Sequence, residues 1–251
     1  MGRVATLLYG VLIYFLFLTT FVYFIGFAAG FSFMPTSVNS GEAGPSGSAI
    51  LINLLMLTAF ATQHFIMARP WFKERWTKIV PEQIERSTYV LATTLLVTLM
   101  VCKWQPMPGT VWHIENSAGA YALWAVWGVG WVIMLYSTFL IDHFDLFGLR
   151  QVYLYFRGTP YSPVQFKMRS FYCYVRHPMM VGFIIAFWAT PNMSAGHLLF
   201  SIAATGMILV GIQLEERDLL RALGEDYSSY RRRVPMLIPS LTPARPDETA
   251  A

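Results

Sequence analysis

The stretch RHPMMVGFIIAFWATPNMSAGHLLFSIAATGMILVGIQLEERDLL, residues 176–220, decides the fold. It holds two oily runs, a short one over 179–190 and a long one over 197–214, separated by PNMSAG. Pro191 and Gly196 mark a tight reversal between them. A crossing of the bilayer takes about 20 mostly apolar residues. The long arm meets that length and the short arm leaves it open, so the segment is a helical hairpin with at least one spanning arm.

Outward from the hairpin, four further apolar runs occupy 4–33, 49–68, 88–104 and 118–141. The chain is 55% hydrophobic and only 13% charged, against about 25% charged residues in an average soluble domain. Backbone groups inside lipid must be hydrogen-bonded within their own segment, which leaves α-helix for these runs. The fold class is therefore all-α: a polytopic integral membrane bundle of five to six transmembrane helices, ending in a helical hairpin and a cytoplasmic tail. The expected division is residues 1–141 for the first four helices, 142–240 for a long connection, hairpin and tail that form the site, and 241–251 for a flexible Pro-rich end. The run at 4–33 is too long for the apolar core of a signal peptide and has no A-x-A pattern behind it.

Orientation follows from the cations. With alternating helices, every one of the 18 Lys and Arg residues except Lys103 falls on one side, which is then cytoplasmic. Both termini lie there, and a bacterial inner membrane is the expected location. The loop over 34–48 has no Lys or Arg and faces outward. The formal charge of +4 is no nucleic-acid signal; the lipid bilayer is the partner. Five histidines are scattered without ligand spacing, and Cys102 and Cys173 form no C-x-x-C, so no metal is expected.

At the root of the hairpin, Pro178 suits the first helical position and makes His177 the N-cap. Free N–H groups at a helix start, with the fork of Arg176, suit an anion. Glu215 and Glu216 close the other arm on the same side, at a helix end where carboxylates oppose the dipole. They either pair with Arg176 or share with it a site for a zwitterion. Beyond lies GEDYSSYRRRVPMLIPS, 224–240, in which Gly224 breaks the helix and Tyr227 and Tyr230 share one face. That segment is either a surface helix or an apolar and aromatic wall for a flat ring.

Taken together, RHP-M-M-x-G, the hairpin, LEERDL and GEDYSSYRRRVPMLIP resemble the membrane methyltransferases of the isoprenylcysteine carboxyl methyltransferase and phospholipid methyltransferase type. Upstream, ATQHFIMARPWFKERW (61–76), ERSTYVL (85–91) and STFLIDHFDLFGLRQVYLYFRGTPY (137–161) resemble its narrower NnrU-like methanethiol S-methyltransferase branch. The resemblance implies S-adenosylmethionine as methyl donor, leaving S-adenosylhomocysteine, and a small thiol as acceptor, methanethiol giving dimethyl sulfide. It implies Tyr174, Arg176, His177, Pro178, Gly182, Glu215, Glu216, Tyr227 and Tyr230 as the donor-binding set. Many members carry an aromatic or Leu-Tyr pair after RHP, where this chain has Met179 and Met180.

A thiol is a weak nucleophile until ionised, so a base is expected. Gln63 and His64 lie within the second apolar run, and Asp142, His143 and Asp145 end the fourth. Ionisable groups in membrane helices usually face a cavity or the bundle interior. His143 or His64 is the expected base, oriented by an aspartate, with Asp142 and Asp145 on one face if the helix continues; otherwise IDHFD is a polar helix end met by water. Two rival readings keep their place: a lipid or isoprenylcysteine acceptor, and a membrane accessory or transport protein. A transporter would more often show repeated halves, and no repeat is seen.

Overall fold

The computed structural model describes residues 2–41, 44, 46–164 and 168–244. Lys167 and Arg245 of the charge pattern, and the expected flexible end from 245 onward, lie outside the described residues. The chain is an integral membrane bundle with α1 Arg3–Ala29, α2 Ser46–Met67, α3 Pro70–Trp76, α4 Glu82–Lys103, β1 Thr110–His113, α5 Ser117–Ile141, α6 His143–Leu146, α7 Leu149–Arg157, α8 Pro178–Trp188, β2 Asn192–Ser194, α9 Ala195–Leu223 and α10 Glu225–Arg233. Among them α1, α2, α4, α5 and α9 are long and apolar enough to cross a membrane. The short arm α8 has 11 residues. At 1.5 Å per residue it reaches about 16 Å, roughly half of a hydrocarbon core. Among the described residues five helices are thus long enough to span, and the hairpin's first arm is too short to.

The chain divides into two compact units. One comprises Met1–His113, His143–Pro163 and Asn192–Ala204; the other comprises Ile114–Asp142, Val164–Pro191 and Thr205–Ala251. In the first, α1 packs on α4 and α7, and α2 on α4. Ile13, Met67, Tyr89 and Val90 form its core beneath Tyr9, Phe72, Trp76 and Phe147. Trp104 is buried in edge contact with Phe27 and Phe200, so this tryptophan fills a core.

In the second unit α5 and α8 lie backbone to backbone. A Cβ added at Gly182 would stand 2.6 Å from the Gly130 carbonyl oxygen and 2.6 Å from the Met134 nitrogen. Only paired glycines allow this approach, the small-residue logic of helix contacts in lipid. Gly224 sits at φ +56° between α9 and α10, a left-handed setting that glycine adopts without a Cβ penalty.

Three sequence expectations change. PNMSAG is no simple turn: Asn192–Ser194 pairs antiparallel with Thr110–His113, matching Trp112 to Met193 and His113 to Asn192. The ladder satisfies backbone groups that a bare reversal would leave to solvent. The second arm does not end at Glu216 but runs to Leu223, because Leu219, Leu220 and Leu223 still find an apolar partner in Tyr227, Tyr230 and Val234. The helix does not continue through IDHFD either. Asp142 is extended, at φ 175° and ψ 99°, which separates it from Asp145 on α6.

Candidate functional site

The chain enters α8 through a 3-10 turn at Ser170–Cys173. His177 is the N-cap and Pro178 the first helical residue, as expected, but the imidazole caps nothing. It turns to α9 instead. His177 Nε2 lies 3.0 Å from Glu216 Oε1, and His177 Nδ1 lies 3.8 Å from Glu215 Oε2. Arg176 donates from Nε to the same Glu216 oxygen at 2.7 Å. Its Nη1 donates to the carbonyls of Arg231, at 3.0 Å, and of Val234. Arg231 Nε stands 3.2 Å from Glu216 Oε2. Arg176, His177 and Glu216 are exposed by only 9%, 7% and 2%. Such an assembly survives burial because each charge has a counter-charge and hydrogen bonds; taking one partner away costs about 3–5 kcal/mol.

The tail is laced to this entry segment. The Arg176 N–H donates to Pro235 O, His177 N–H to Met236 O, Ser240 N–H to Tyr174 O and Ala244 N–H to Cys173 O. Tyr227 and Tyr230 face inward from α10, each 2% exposed. Tyr230 donates its hydroxyl to Tyr172 O at 2.9 Å. Burial pushes the phenols of Tyr172, Tyr227 and Tyr230 above the ordinary tyrosine range, helped at Tyr227 by the Glu216 charge, so they stay neutral. Beside the cluster, Ile133, Phe171, Tyr174, Val175, Pro178, Val181 and Pro239 line a cavity of about 420 Å³, within the range of small-molecule pockets.

Tyr174, Arg176, His177, Pro178, Glu215, Glu216, Tyr227 and Tyr230 thus gather in the second unit. Gly182 faces Gly130 of α5. Internal pairing accounts for much of the cluster. Arg176 is committed to Glu216 and to carbonyls, whereas Glu215 keeps a half-exposed side chain. Among the described residues Glu216 Oε2 is buried without a hydrogen bond, its contact with Arg231 being an ion pair off hydrogen-bond geometry. Sequence reasoning missed Arg231 and the carbonyl acceptors at 231 and 234. RRR advertises only positive charge, and backbone acceptors leave no sequence mark.

The candidate base residues occupy the first unit, apart from Asp142. His64 Nδ1 is 2.8 Å from the Tyr89 hydroxyl, and His143 Nε2 is 2.7 Å from that of Tyr14. Gln63 accepts from Thr93 and contacts the Met67 sulfur. Asp145 accepts from Arg150 at 2.9 Å and from Tyr161 at 3.3 Å. The structure therefore brings a tyrosine to each histidine, a pairing that tyrosines 25 and 129 positions away could not announce in sequence.

Among the described residues, five helices long and apolar enough to span a membrane, and in the second unit a tail-braced α8 whose root holds a buried cation–carboxylate cluster beside an apolar cavity, define a polytopic membrane protein with a candidate site at the root of α8. No family model matches the chain, and no solved structure matches it. Among characterised proteins it is similar to the methanethiol S-methyltransferase of Mycobacterium tuberculosis, with 52% identity over 239 residues, covering 95% of this chain and 98% of that protein. It is similar to that of Crocosphaera subtropica at 50% over 95% and 93% of the two chains. A fainter likeness, 27% over 68% of this chain and 70% of the other, links it to a Nurim homolog of Drosophila pseudoobscura pseudoobscura. The chain belongs to the methanethiol S-methyltransferase family.

Proposed function

We propose that the protein transfers the methyl group of S-adenosylmethionine to methanethiol, giving dimethyl sulfide and S-adenosylhomocysteine. The observation that carries this is the 52% identity to a methanethiol S-methyltransferase along nearly the whole of both chains. The residues of the hairpin root suit the donor. Glu215 and Glu216 would take its ammonium or ribose hydroxyls, and His177 with Arg231 its carboxylate. Tyr174, Pro178 and the apolar cavity would take its flat ring, with Tyr227 and Tyr230 holding the tail in place. Support for this fit comes from the buried Glu216 oxygen that lacks a hydrogen bond and from the exposed Glu215 beside it.

Bound donor supplies an activated methyl group, and the protein supplies binding and orientation. Aligning the reactants at near-attack distance removes much of the barrier. Sulfonium and thiolate become two neutral sulfides, so a water-poor site favours the transfer. The distribution of Lys and Arg supports a cytoplasm-facing site with both termini cytoplasmic, in a bacterial inner membrane.

Purified protein, S-adenosylmethionine and methanethiol, with headspace detection of dimethyl sulfide, test the proposal. Product above a protein-free control is expected. Donor turnover that yields methylated lipid and no dimethyl sulfide would replace it with the lipid-acceptor reading.

A further inference from the structure

The segment after α10, in the second unit, carries two large apolar side chains that the fold leaves bare. Ile238 is 82% exposed and Leu241 101%. The backbone that bears them is pinned on both sides. Arg176 N–H donates to Pro235 O and His177 N–H to Met236 O, while Ser240 N–H donates to Tyr174 O and Ala244 N–H to Cys173 O. The Ser240 hydroxyl adds a bond to the Thr242 carbonyl at 2.8 Å. A strap held this way presents Ile238 and Leu241 outward by construction.

Its depth follows from α5. That helix has 25 residues and no Asp, Glu, Lys or Arg, and about 20 residues cross the hydrocarbon. Were all of the spare residues outside at the Ile141 end, Ile133 would still lie within the apolar layer. Ile133 shares one cavity with Pro178, Val181 and Pro239. Nearer the Ile141 end, Tyr136 meets Phe171 ring to ring at 5.2 Å, and Phe171 lines the same cavity. Pro239 is thus level with the apolar part of α5, and Ile238 and Leu241 flank it.

Backbone at that level must find its partners in the protein, since lipid offers none. The sequence PMLIPS, 235–240, suits this need. Pro235 and Pro239 have no N–H to satisfy, the Ser240 N–H is bonded, and the Pro235 and Met236 carbonyls are taken by Arg176 and His177. Just upstream, Arg231, Arg232 and Arg233 end α10, a cation flank of the kind that sits at the headgroup level. Apolar side chains behind a basic turn are complementary to an anionic bilayer.

We propose that residues 236–241 form a re-entrant anchor, in which the chain dips back into the bilayer and Ile238 and Leu241 lie among the acyl chains. The partner is the lipid of the membrane itself. The anchored strap carries carbonyls that accept from Arg176 and His177, so the root of α8 is tied to the bilayer as well as to α9. The anchor is independent of the methyl-transfer reading and needs no substrate.

Spin labels test it. In the full chain with Cys102→Ser and Cys173→Ser, reconstituted in phosphatidylcholine–phosphatidylglycerol nanodiscs, a nitroxide is attached at Ile238→Cys or Leu241→Cys. Val132→Cys, at a position of α5 that is 66% exposed, gives the lipid reference, and Asp226→Cys, in the first turn of α10, the water reference. Power saturation compares collisions with oxygen, which concentrates in lipid, and with a water-soluble nickel chelate. Labels at 238 and 241 are expected to show the oxygen-to-nickel ratio of Val132→Cys. The ratio of Asp226→Cys would overturn the anchor. Shielding from both reagents would overturn it too, since protein, such as a second copy of the chain, would then cover the strap. Should a labelled protein fail to reconstitute, Ile238→Asp with Leu241→Asp carries the test, because lipid expels charge and water does not. Proteolysis after Gly224 in the same discs is expected to quicken by about tenfold or more, and an unchanged rate would place both positions in water and overturn the proposal.

Discussion

Substituting Gly182→Ala places one methyl group in the α5–α8 contact. Its carbon would stand 2.6 Å from the carbonyl oxygen of Gly130 and 2.6 Å from the Met134 nitrogen, where 3.4 Å is ordinary contact. Both obstacles are backbone, so no side chain can swing aside, and the helices must part by about 0.8 Å. A gap of that size forfeits about a quarter to a half of each dispersion contact along the seam, and overpacking of this kind costs about 1–3 kcal/mol. At about 2–4 °C per kcal/mol for a chain of this size, the unfolding midpoint should fall by about 2–12 °C. The assay is thermal unfolding in detergent, followed by near-ultraviolet dichroism from Trp131, which touches Phe183 and Phe187 across the same seam. Ile133 on α5 and Val181 on α8 line the cavity, so its width changes too, and KM should rise more than kcat falls. A variant with an unchanged midpoint and a selective loss of donor affinity would refute the packing account and return Gly182 to the donor-binding set.

Other substitutions probe the cluster and its bracing. Arg176→Met leaves Glu216 buried beside its remaining partners and strips a donor from two tail carbonyls; a loss of about 3–5 kcal/mol is expected, read as early proteolytic release of the segment after Gly224. Tyr230→Phe removes the donor to Tyr172 O and should cost about 1–3 kcal/mol by thermal unfolding, with donor affinity little changed. Gly224→Ala forces a Cβ into φ +56° and should cost about 1 kcal/mol, measured the same way. His64→Ala and His143→Ala test the base reading: a histidine base predicts a loss of methanethiol turnover of about 10²-fold or more in one of them, and full activity in both would remove the histidines from the reaction.

Much of this fold was legible because bilayer thickness is a strong constraint. Runs such as 4–33 and 118–141 can satisfy their backbone in lipid only as helices, and the helices found differ from those runs mainly at their ends. Ends were harder to foresee, since they depend on distant partners. Glu216 lies inside α9 because Tyr227 and Tyr230 fold back to cover the next two turns, and PNMSAG becomes a strand because residues 110–113 wait beside it. Arg176, His177 and Glu216 could be brought together from the hairpin alone. The burial of Glu85, 8% exposed and with Oε1 lacking a hydrogen bond among the described residues, could not be foreseen: its neighbour Arg86, and Tyr89 one turn on, look like an ordinary interfacial helix start. Only burial, which sequence does not carry, separates a solvated glutamate from one without a partner.

The bracing of Arg176 by residues 231–236 also sets an order for biogenesis. During synthesis the guanidinium enters the membrane surface long before its acceptors exist, because Glu216 lies 40 positions later and the Val234 carbonyl 58 positions later. An unmatched cation in a membrane is costly, so although α8 can already seat on α5, Arg176 cannot be buried until α9 has been delivered and residues 231–236 have been made. The cluster is thus completed late, and a nascent chain stalled before residue 236 should leave the Arg176 guanidinium short of its carbonyl acceptors.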